Sequence, residues 1–381
     1  MICAGVAGAS ASLGSGSAQM TPGGIGMQPP NSAVAEQVHF FHNVILMPVI
    51  TVISLFVLAL LMWIVFRYNS KANPVPSKFS HNTLIEVIWT AVPIIILLGI
   101  ALPSFDLLYK EDVIPDGKQV VVQGDGQSSE FVFANDFTER RVVSRKDHLQ
   151  VLKETGGALA SLKYKKDYTV SGFGEAEIVV SLNSAPAAGE RVIIRGGRST
   201  EDVSECGGFR KLVGECPQNI VLAPTITLKA NGYQWGWLYS YPDFGDFEFA
   251  SNMLPKDLAS PDVYLREVDN RIVVPVGETV RVITTAKDVI HSWALPAFAV
   301  KVDAVPGRLN ETWFKADRVG VYYGQCSEIC GIKHAFMPIA VKVVSRSAFE
   351  TWVDGQRALA SMDPMFGTNP VKVADAGAVA K

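Results

Sequence analysis

The chain has 381 residues, enough for two or three domains. Its formal net charge of −3 argues against binding nucleic acid through bulk charge. Hydrophobic residues make up 48% of the chain, which is high for a wholly soluble protein, and the longest apolar runs lie near the N-terminus. This distribution predicts a membrane protein that also carries a large soluble part.

The first residues, MICAGVAGASASLGSGSAQ, are small, apolar and uncharged. This composition is typical of the end of a secretory signal peptide, so we expect residues 1–18 to be a signal remnant with cleavage near Ala18. Cys3 lacks a preceding lipobox and is expected to belong to the leader rather than to carry a lipid. Residues 19–43 are then an external N-terminal segment.

Two apolar runs follow, and neither Val44–Phe66 nor Val87–Phe105 contains a charged residue. A helix of about 20 apolar residues crosses a hydrocarbon core of about 30 Å, so each run predicts one span of a lipid bilayer. We place the transmembrane helices at residues 44–67 and 84–108. Aromatic residues of the kind expected at the membrane interface lie near the span ends: Trp63, Trp89 and Tyr109.

The loop between the spans, residues 68–83, predicts their direction. It carries Lys71 and Lys78, follows Arg67, and contains no acidic residue. The excess of positive charge on inner loops places it in the cytoplasm or matrix. Both termini and the soluble part then lie outside, in the periplasm at a bacterial inner membrane. The alternative is the mitochondrial inner membrane, with the soluble part in the intermembrane space.

Glu86 lies just before the second apolar run, near the predicted inner face. One interpretation is a carboxylate that stabilises the N-terminus of a helix. The other is a proton-handling group at a membrane entrance. The residues themselves leave both interpretations open.

Residues 114–223 differ from the segments on either side. The stretch KDYTVSGFGEAEIVVSLNSAPAAGERVIIRGG alternates apolar and polar residues around a turn, which predicts a small β-rich module. Cys206 and Cys216 both lie in this region, and in an oxidising compartment they could form a disulfide.

The pattern of residues 224–347 predicts an all-β domain. Short β-branched or aromatic runs such as RIVVPVGETVRVITT and PIAVKVVS alternate with Pro, Gly and Asp turns. This pattern predicts a Greek-key sandwich or barrel. Residues 348–381 are expected to form a terminal helix and a tail.

One short stretch near the end of this region, GQCSEICGIKHAFMP, concentrates metal-binding side chains. Cys326, Cys330, His334 and Met337 follow the spacing Cys-x3-Cys-x3-His-x2-Met. A structural zinc prefers four Cys or His ligands and has no use for methionine. An iron–sulfur cluster uses four thiolates, and a blue-copper site uses one cysteine, two histidines and a methionine.

His291, in the stretch DVIHSWALP, supplies the second imidazole. Two cysteines, two histidines and a methionine are too many for one copper but suit a pair. Both thiolates can bridge the pair, each copper taking one imidazole, with Met337 and a backbone carbonyl at the weak positions. Such a site is suited to electron transfer. The alternative is a disulfide between Cys326 and Cys330.

With these residues the chain resembles subunit II of the haem–copper cytochrome c oxidases, of the alphaproteobacterial and mitochondrial type. The resemblance covers residues 31–113 and 225–350. Its motifs are HNTLIEVIWTAVPIIILLGIALPS, DVIHSWALPAFAVKVDAVPGRLNETWF and GVYYGQCSEICGIKHAFMPIAVKVVS. It implies a two-helix transmembrane hairpin joined to an all-β, cupredoxin-like domain. The family does not normally carry residues 114–223, so these are expected to be a lineage-specific insert, either decorative or binding an accessory subunit or supercomplex partner.

The resemblance also implies the site. The copper pair is the family's CuA centre, and Glu328 gives it a backbone carbonyl. The Glu328 side chain points to a magnesium or manganese ion at the interface with subunit I. The side-chain ligands of copper are His291, Cys326, Cys330, His334 and Met337.

Other residues match positions that meet partners in the family. Trp235 matches the tryptophan through which electrons arrive from cytochrome c, although Gly236 stands where the family usually has an aromatic residue. Glu86 matches the glutamate at the mouth of the K proton pathway. Candidate docking acids for a basic cytochrome c are Asp243, Asp246 and Asp288, with Glu248 as a further candidate. Two residues match a loop packed on subunit I: Asp303 and Arg308.

The function implied is that of subunit II of an aa3-type cytochrome c oxidase, assembled with subunits I and III. Electrons from cytochrome c reach haem in subunit I, where oxygen is reduced to water and protons are pumped. One alternative is the CuA subunit of another haem–copper enzyme, such as a nitric oxide reductase. Others are a structural quinol-oxidase subunit II and a copper-delivery protein.

Overall fold

The structure is a computed structural model, and it describes residues 26–75, 78, 80–136, 146–155, 158–197 and 220–362. The chain divides into two compact units, and each is described by itself. One unit comprises Met1–Ser32 with Thr225–Lys381, and the other comprises Ala33–Pro224. The expected signal remnant lies outside the described residues, and so do Cys206 and Cys216, whose disulfide stays a prediction.

Two apolar helices begin the second unit, and together they confirm the predicted helical hairpin pattern. The first runs from α1 (Ala33–Phe40) through a π-helical segment (Phe41–Leu46) into α2 (Met47–Arg67). The second is α3 (Thr83–Asp112). Both are long and apolar enough to cross a membrane.

Local hydrogen bonds explain where α3 begins. Asn82 precedes the helix, and its Oδ1 accepts hydrogen bonds from the N–H groups of Leu84 at 3.1 Å and Ile85 at 3.2 Å. Glu86 lies in the first turn, and its Oε1 accepts a hydrogen bond from the N–H of Asn82 at 3.3 Å. This is the geometry of a helix-stabilising carboxylate, and it leaves a proton-handling role as a prediction.

The predicted β-rich module is present in the same unit. Residues two positions apart on a strand contribute to its apolar core, such as Leu149 and Val151 or Ile178 and Val180. Side chains two positions apart lie on the same face of a β-strand. The strands are β1 (Lys118–Gln123), β2 (Glu130–Ala134), β3 (Leu149–Thr155), β4 (Ala158–Ser161), β5 (Tyr168–Ser171), β6 (Glu177–Leu182) and β7 (Arg191–Gly196). They form two sheets, with the strand orders β1-β7-β3-β4 and β2-β6-β5.

The other unit is the predicted all-β domain. Its strands are β8 (Ile226–Tyr233), β9 (Gly236–Ser240), β10 (Glu248–Ser251), β11 (Ile272–Pro275), β12 (Thr279–Ala286), β13 (His291–Leu295), β14 (Val300–Ala304), β15 (Asn310–Lys315), β16 (Gly320–Cys326) and β17 (Pro338–Val344). They form two five-stranded sheets, ordered β10-β9-β8-β12-β15 and β11-β17-β16-β13-β14, and α4 (Arg346–Met362) follows.

The register of this domain brings distant cysteine and histidine residues to one end of a sheet. β13 and β16 are antiparallel, and Trp293 pairs with Cys326. His291 therefore starts β13 at the place where β16 ends. In the other sheet β8 is parallel to β12, and Gly232 pairs with Ala286. The β8–β9 turn consequently lies at the end of β12, just before the segment that leads to His291.

The N-terminal residues of this unit are bound to the sandwich. Asn31 is 1% exposed, and its N–H donates to the carbonyl of Ala297 at 2.7 Å. Its side chain bonds twice to Arg318, accepting from Nε at 3.2 Å and donating to the carbonyl at 3.1 Å. Ser32 Oγ donates to the carbonyl of Phe298 at 3.0 Å. Asn31 and Ser32, directly before α1, are therefore part of the packed β domain.

Candidate metal centre

Two buried sulfur atoms lie at the centre of the site. The Sγ atoms of Cys326 and Cys330 are 3.8 Å apart, and both cysteines are free. A disulfide bond is about 2.05 Å long, so the two residues do not form one. Cys326 ends β16 and Cys330 lies in the loop before β17, so the sheet positions one sulfur and the loop the other.

Each sulfur has its own imidazole. His291 Nδ1 lies 3.9 Å from Cys326 Sγ, and His334 Nδ1 lies 3.5 Å from Cys330 Sγ. Met337 is 1% exposed, and its Sδ lies 3.5 Å from Cys330 Sγ. The donor atoms therefore form two halves, each with one sulfur and one imidazole, joined by the contact between the sulfurs.

The main chain between the cysteines contributes an oxygen. The carbonyl of Glu328 lies 3.4 Å from Cys326 Sγ, while the residue as a whole is exposed. The carbonyl thus faces the sulfurs, and the two roles predicted for Glu328, at copper and at magnesium, stay predictions.

The two cysteines differ in acidity. Burial opposes ionisation of the Cys326 thiol, but hydrogen bonds with His291 and with main-chain groups outweigh it and lower its pKa to about 6. Burial and the neighbouring Cys326 raise the pKa of Cys330 to about 12. One thiolate forms readily next to a thiol that resists ionisation, and a bound cation would stabilise the second thiolate.

Asp288 orients one imidazole. Its Oδ1 lies 2.9 Å from His291 Nε2, and its Oδ2 accepts a hydrogen bond from the N–H of Gln234 at 2.7 Å. Burial alone would lower the pKa of His291, yet hydrogen bonds with Cys326 and Asp288 leave it above its usual value. A carboxylate on the far nitrogen of a metal-binding histidine fixes the ring and its tautomer. Nδ1 of His291 is thus left facing the sulfurs.

The donor set fits the predicted copper pair. His291, Cys326 and Cys330 each offer a ligand atom, and these atoms lie within 4.8 Å of one another. Thiolate, thioether and imidazole donors select copper over hard cations, and methionine argues against a structural zinc. The division into two sulfur–imidazole halves suits two ions better than one.

Trp235 lies directly beside this centre. Its Nε1 donates to the carbonyl of Cys330 at 3.2 Å, and Lys333 Nζ lies 5.8 Å from the ring centroid. Packing explains the glycine at position 236, because a Cβ atom there would lie 2.5 Å from the hydroxyl of Tyr233. In this chain Tyr233 therefore occupies the space that an aromatic residue at position 236 would need.

The structure separates the candidate docking acids. Asp288 lies at the metal centre, whereas Asp243 accepts a hydrogen bond from the N–H of Thr227 at the start of β8. Trp235 follows the other end of β8, and Thr227 and Tyr233 lie six residues apart on this strand, roughly 20 Å at about 3.3 Å per residue. The exposed acidic residues at this far end are Asp243, Asp246 and Glu248. Their docking role stays a prediction.

Asp303 lies on the strand next to His291. It belongs to β14 and pairs with Ser292, and its side chain is exposed. Arg308 follows in an exposed turn closed by its N–H, which donates to the carbonyl of Val305 at 3.1 Å. The predicted contacts of Asp303 and Arg308 with subunit I stay predictions.

Two residues at the centre were not identified from sequence: Gln234 and Lys333. Gln234 directly precedes Trp235, and Lys333 directly precedes His334, so adjacency to a candidate residue was the available signal. Asp288 was identified, but as a docking acid. Its spacing of three residues before His291 could have indicated a carboxylate–histidine pair.

Comparisons with known proteins agree on one family. The model of the cytochrome c oxidase subunit II periplasmic domain matches residues 226–344, and that of the subunit II transmembrane domain matches residues 20–107. The probable cytochrome c oxidase subunit 2 of Rickettsia bellii is 36% identical over 341 residues, covering 89% of this chain and 87% of the relative. Cytochrome c oxidase subunit 2 of Cereibacter sphaeroides is 31% identical over 355 residues, covering 88% and 81%.

A solved structure is also similar. The periplasmic domain of subunit II of the Bradyrhizobium japonicum cytochrome oxidase is 55% identical and covers 36% of this chain and 98% of its own, with a TM-score of 0.35. The two family matches leave residues 108–225 between them, and this interval contains the β-rich module.

Proposed function

Since this chain belongs to the cytochrome c oxidase subunit II family and is a membrane-inserted component of an oxidoreductase complex, we propose that it receives electrons from cytochrome c in an aa3-type oxidase and delivers them to haem in subunit I. The observation that carries this proposal is the pair of facing sulfurs, Cys326 and Cys330, with one imidazole on each side.

These side chains would hold the family's CuA copper pair. Such a pair supplies a one-electron acceptor that rearranges little between its redox states. The two cysteines would hold it together with the carbonyl of Glu328. The remaining side-chain ligands would be His291, His334 and Met337.

The protein contributes rigidity and exclusion of water. His291 is fully buried and is held by Asp288, and Cys330 is 3% exposed. Met337 directly precedes β17, whose pairing with β16 fixes the loop at its C-terminal side. Ligands that are positioned by strands and buried contacts have little freedom to move when the charge of the site changes.

Two faces of the site would serve two partners. Trp235 bonds to the main chain of Cys330 and is partly exposed, so it would be the inlet for electrons from the docked cytochrome c. The exposed side chain of Glu328 would bind magnesium or manganese at the interface with subunit I. The exposed Asp303 and Arg308 would contact subunit I nearby.

The membrane part would contribute the remaining roles. Glu86 at the start of α3 would be the K-pathway proton entrance, and the two spans would pack with the other membrane subunits, including subunit III. We place the chain in a bacterial inner membrane with the β domain in the periplasm. Residues 114–223 would form a lineage-specific insert that meets an accessory subunit or supercomplex partner.

The test is to purify the complex and record its copper EPR spectrum and its oxygen uptake with reduced cytochrome c. We expect a multiline signal from an electron shared by two coppers, and cytochrome c-dependent oxygen uptake. A mononuclear copper signal would overturn the site assignment. Reduction of nitric oxide in place of oxygen would overturn the assignment of the reaction.

The insert is tested separately by deleting Asp116–Leu222. If it binds an accessory partner, the purified complex should lose that subunit while its copper signal persists. Unchanged composition, turnover and salt dependence would leave the insert without such a partner.

A further inference from the structure

Two side chains that are neighbours in sequence donate hydrogen bonds to one backbone carbonyl at the metal centre. Gln234 Nε2 lies 2.8 Å and Trp235 Nε1 lies 3.2 Å from the carbonyl oxygen of Cys330. A carbonyl oxygen has two lone pairs, so the two donors use its accepting capacity. The candidate electron inlet and its neighbour thus bind the main chain of a cysteine whose sulfur belongs to the centre.

The residue after Cys330 leaves room for both donors. Gly331 has a φ of +119°, and a Cβ on it would lie 3.2 Å from Gln234 Nε2 and 3.2 Å from Trp235 Cζ2. Contacts this short are tighter than ordinary van der Waals contacts between carbon atoms. A side chain at position 331 would therefore press on both donors at once.

Gln234 is also fixed through its main chain. Its N–H donates to Asp288 Oδ2 at 2.7 Å, and Asp288 Oδ1 lies 2.9 Å from His291 Nε2. Gln234 is therefore connected to both halves of the centre. Its side chain reaches the Cys330 half, and its main chain reaches the His291 half through Asp288.

We infer that Gln234 is a positioning residue for electron transfer from the docked donor. Its amide holds the Cys330 carbonyl beside the Trp235 indole and thereby fixes the inlet against the metal centre. The inference rests on the proposed function, because it concerns the same inlet. The rate of electron tunnelling falls as the distance between donor and acceptor grows, so a group that fixes this distance affects the rate.

Gln234 is exposed, and direct contact with the donor is the competing role for it. The two roles affect different kinetic quantities. A positioning residue sets the limiting rate of electron transfer at saturating donor. A residue that only contacts the donor sets the donor concentration at half-saturation and its dependence on ionic strength.

The test uses the purified complex and reduced cytochrome c in stopped-flow. In Gln234→Leu we expect the limiting rate of copper reduction to fall about fivefold, the factor that corresponds to one hydrogen bond of about 1 kcal/mol. The half-saturating donor concentration should stay unchanged. Gln123→Leu, the same change at an exposed position in β1, should behave as the wild type.

Two further variants separate hydrogen bonding from folding. Gln234→Lys keeps a donor for the carbonyl and should retain the wild-type limiting rate, whereas Gln234→Glu places a carboxylate against the carbonyl and should show the fivefold loss. Copper content, the copper EPR signal and the internal rate from copper to haem should be unchanged in all variants. These two variants decide the question if Gln234→Leu does not assemble.

The inference is overturned if Gln234→Leu or Gln234→Glu keeps the wild-type limiting rate, or if only the half-saturating concentration rises. The proposed function fails in a different way, since wild-type complex without a dinuclear copper signal or without reduction by cytochrome c would exclude it. The wild-type measurement therefore precedes the variants and separates the two failures.

Discussion

Cys326 and Cys330 face each other with their Sγ atoms 3.8 Å apart, close enough to share ions and too far apart for a disulfide bond. A four-residue separation in sequence places one cysteine at the end of β16 and the other in the loop that follows. The paired sulfurs divide the surrounding donors into two halves, each with one imidazole. This division is the structural basis of the predictions that follow.

The first prediction concerns the bridging role of the cysteines. Cys330 Sγ lies 3.5 Å from both His334 Nδ1 and Met337 Sδ, so Cys330→Ser removes the donor that joins one half to the other. We expect the variant to lose the multiline copper EPR signal and to bind less copper by metal analysis. Met337→Leu should keep the multiline signal, because it removes only a weak ligand. A multiline signal in Cys330→Ser would show that the sulfurs do not bridge.

The second prediction concerns the support of His291 by Asp288. Asp288→Asn keeps the size of the side chain but leaves one oxygen to serve both His291 Nε2 and the N–H of Gln234. Losing a partner of this kind typically lowers metal affinity about 10- to 100-fold, which a copper-chelator competition would measure. Asp243→Asn, the same change at the far end of the sheet, should leave copper affinity unchanged. If Asp288→Asn instead lowers only the salt-dependent association rate with cytochrome c, Asp288 is a docking acid.

The third prediction concerns the charge beside the electron inlet. Lys333 Nζ lies 5.8 Å from the Trp235 ring, so it opposes the approach of a basic donor. Lys333→Gln should raise the association rate with a basic cytochrome c about twofold at low salt, and the gain should vanish near 1 M salt. The matched control is Lys342→Gln, which changes an exposed lysine in β17 in the same way. An equal gain in the control would indicate a net-charge effect without local specificity.

The fourth prediction is a pH dependence of stability. Glu267 is buried, which by itself raises its pKa, but Arg271 and Tyr323 bond to its carboxylate and leave the pKa below the usual 4.5. The folded state then binds fewer protons here than the unfolded state. The stabilisation is present above pH 4.5 and is lost as the pH falls through the lower folded value.

Glu267→Gln should therefore lower the melting temperature at pH 7 and flatten its decrease below pH 4.5, as followed by circular dichroism of the detergent-solubilised chain. We expect a cost of roughly 1–3 kcal/mol at pH 7, because a hydrogen-bonded buried charge loses its counterpart. Glu278→Gln removes a more exposed ion pair with Arg346 and should cost at most about 1 kcal/mol. If the melting temperatures of wild type and Glu267→Gln change with pH in the same way, the stabilisation does not come from the Glu267 carboxylate.

The fifth prediction concerns the segment that precedes the first helix. Both side-chain atoms of the buried Asn31 amide bond to Arg318. Arg318→Ala leaves the Asn31 oxygen without this donor and should destabilise the β domain by roughly 1–3 kcal/mol in thermal unfolding. Arg281→Ala breaks an exposed pair with Glu311 and should cost at most about 1 kcal/mol. Equal losses in the two variants would show that the contact between Asn31 and Arg318 contributes no more than an exposed ion pair.

The sequence by itself determined the parts that depend on local pattern. Length and lack of charge are properties of a single segment, so Val44–Phe66 and Val87–Phe105 predicted the two apolar helices without knowledge of their neighbours. Cysteine, histidine and methionine within one short stretch likewise predicted a soft-metal site. His291 could be identified as a candidate ligand from sequence because its motif, DVIHSWALP, is specific and resembles that of the family.

Only the tertiary structure decided how distant segments meet. The antiparallel register of β13 and β16 brings His291 to Cys326, and the parallel pairing of β8 with β12 brings Gln234 to the same end. The antiparallel pairing of β8 with β9 puts Asp243 at the opposite end of β8 from Trp235. Asn31 and Arg318 are 287 residues apart, and no local pattern marks their contact. Strand register and side-chain packing depend on two segments at once. The hydrophobic period and the composition of one segment therefore do not reveal which other segment it pairs with or packs against.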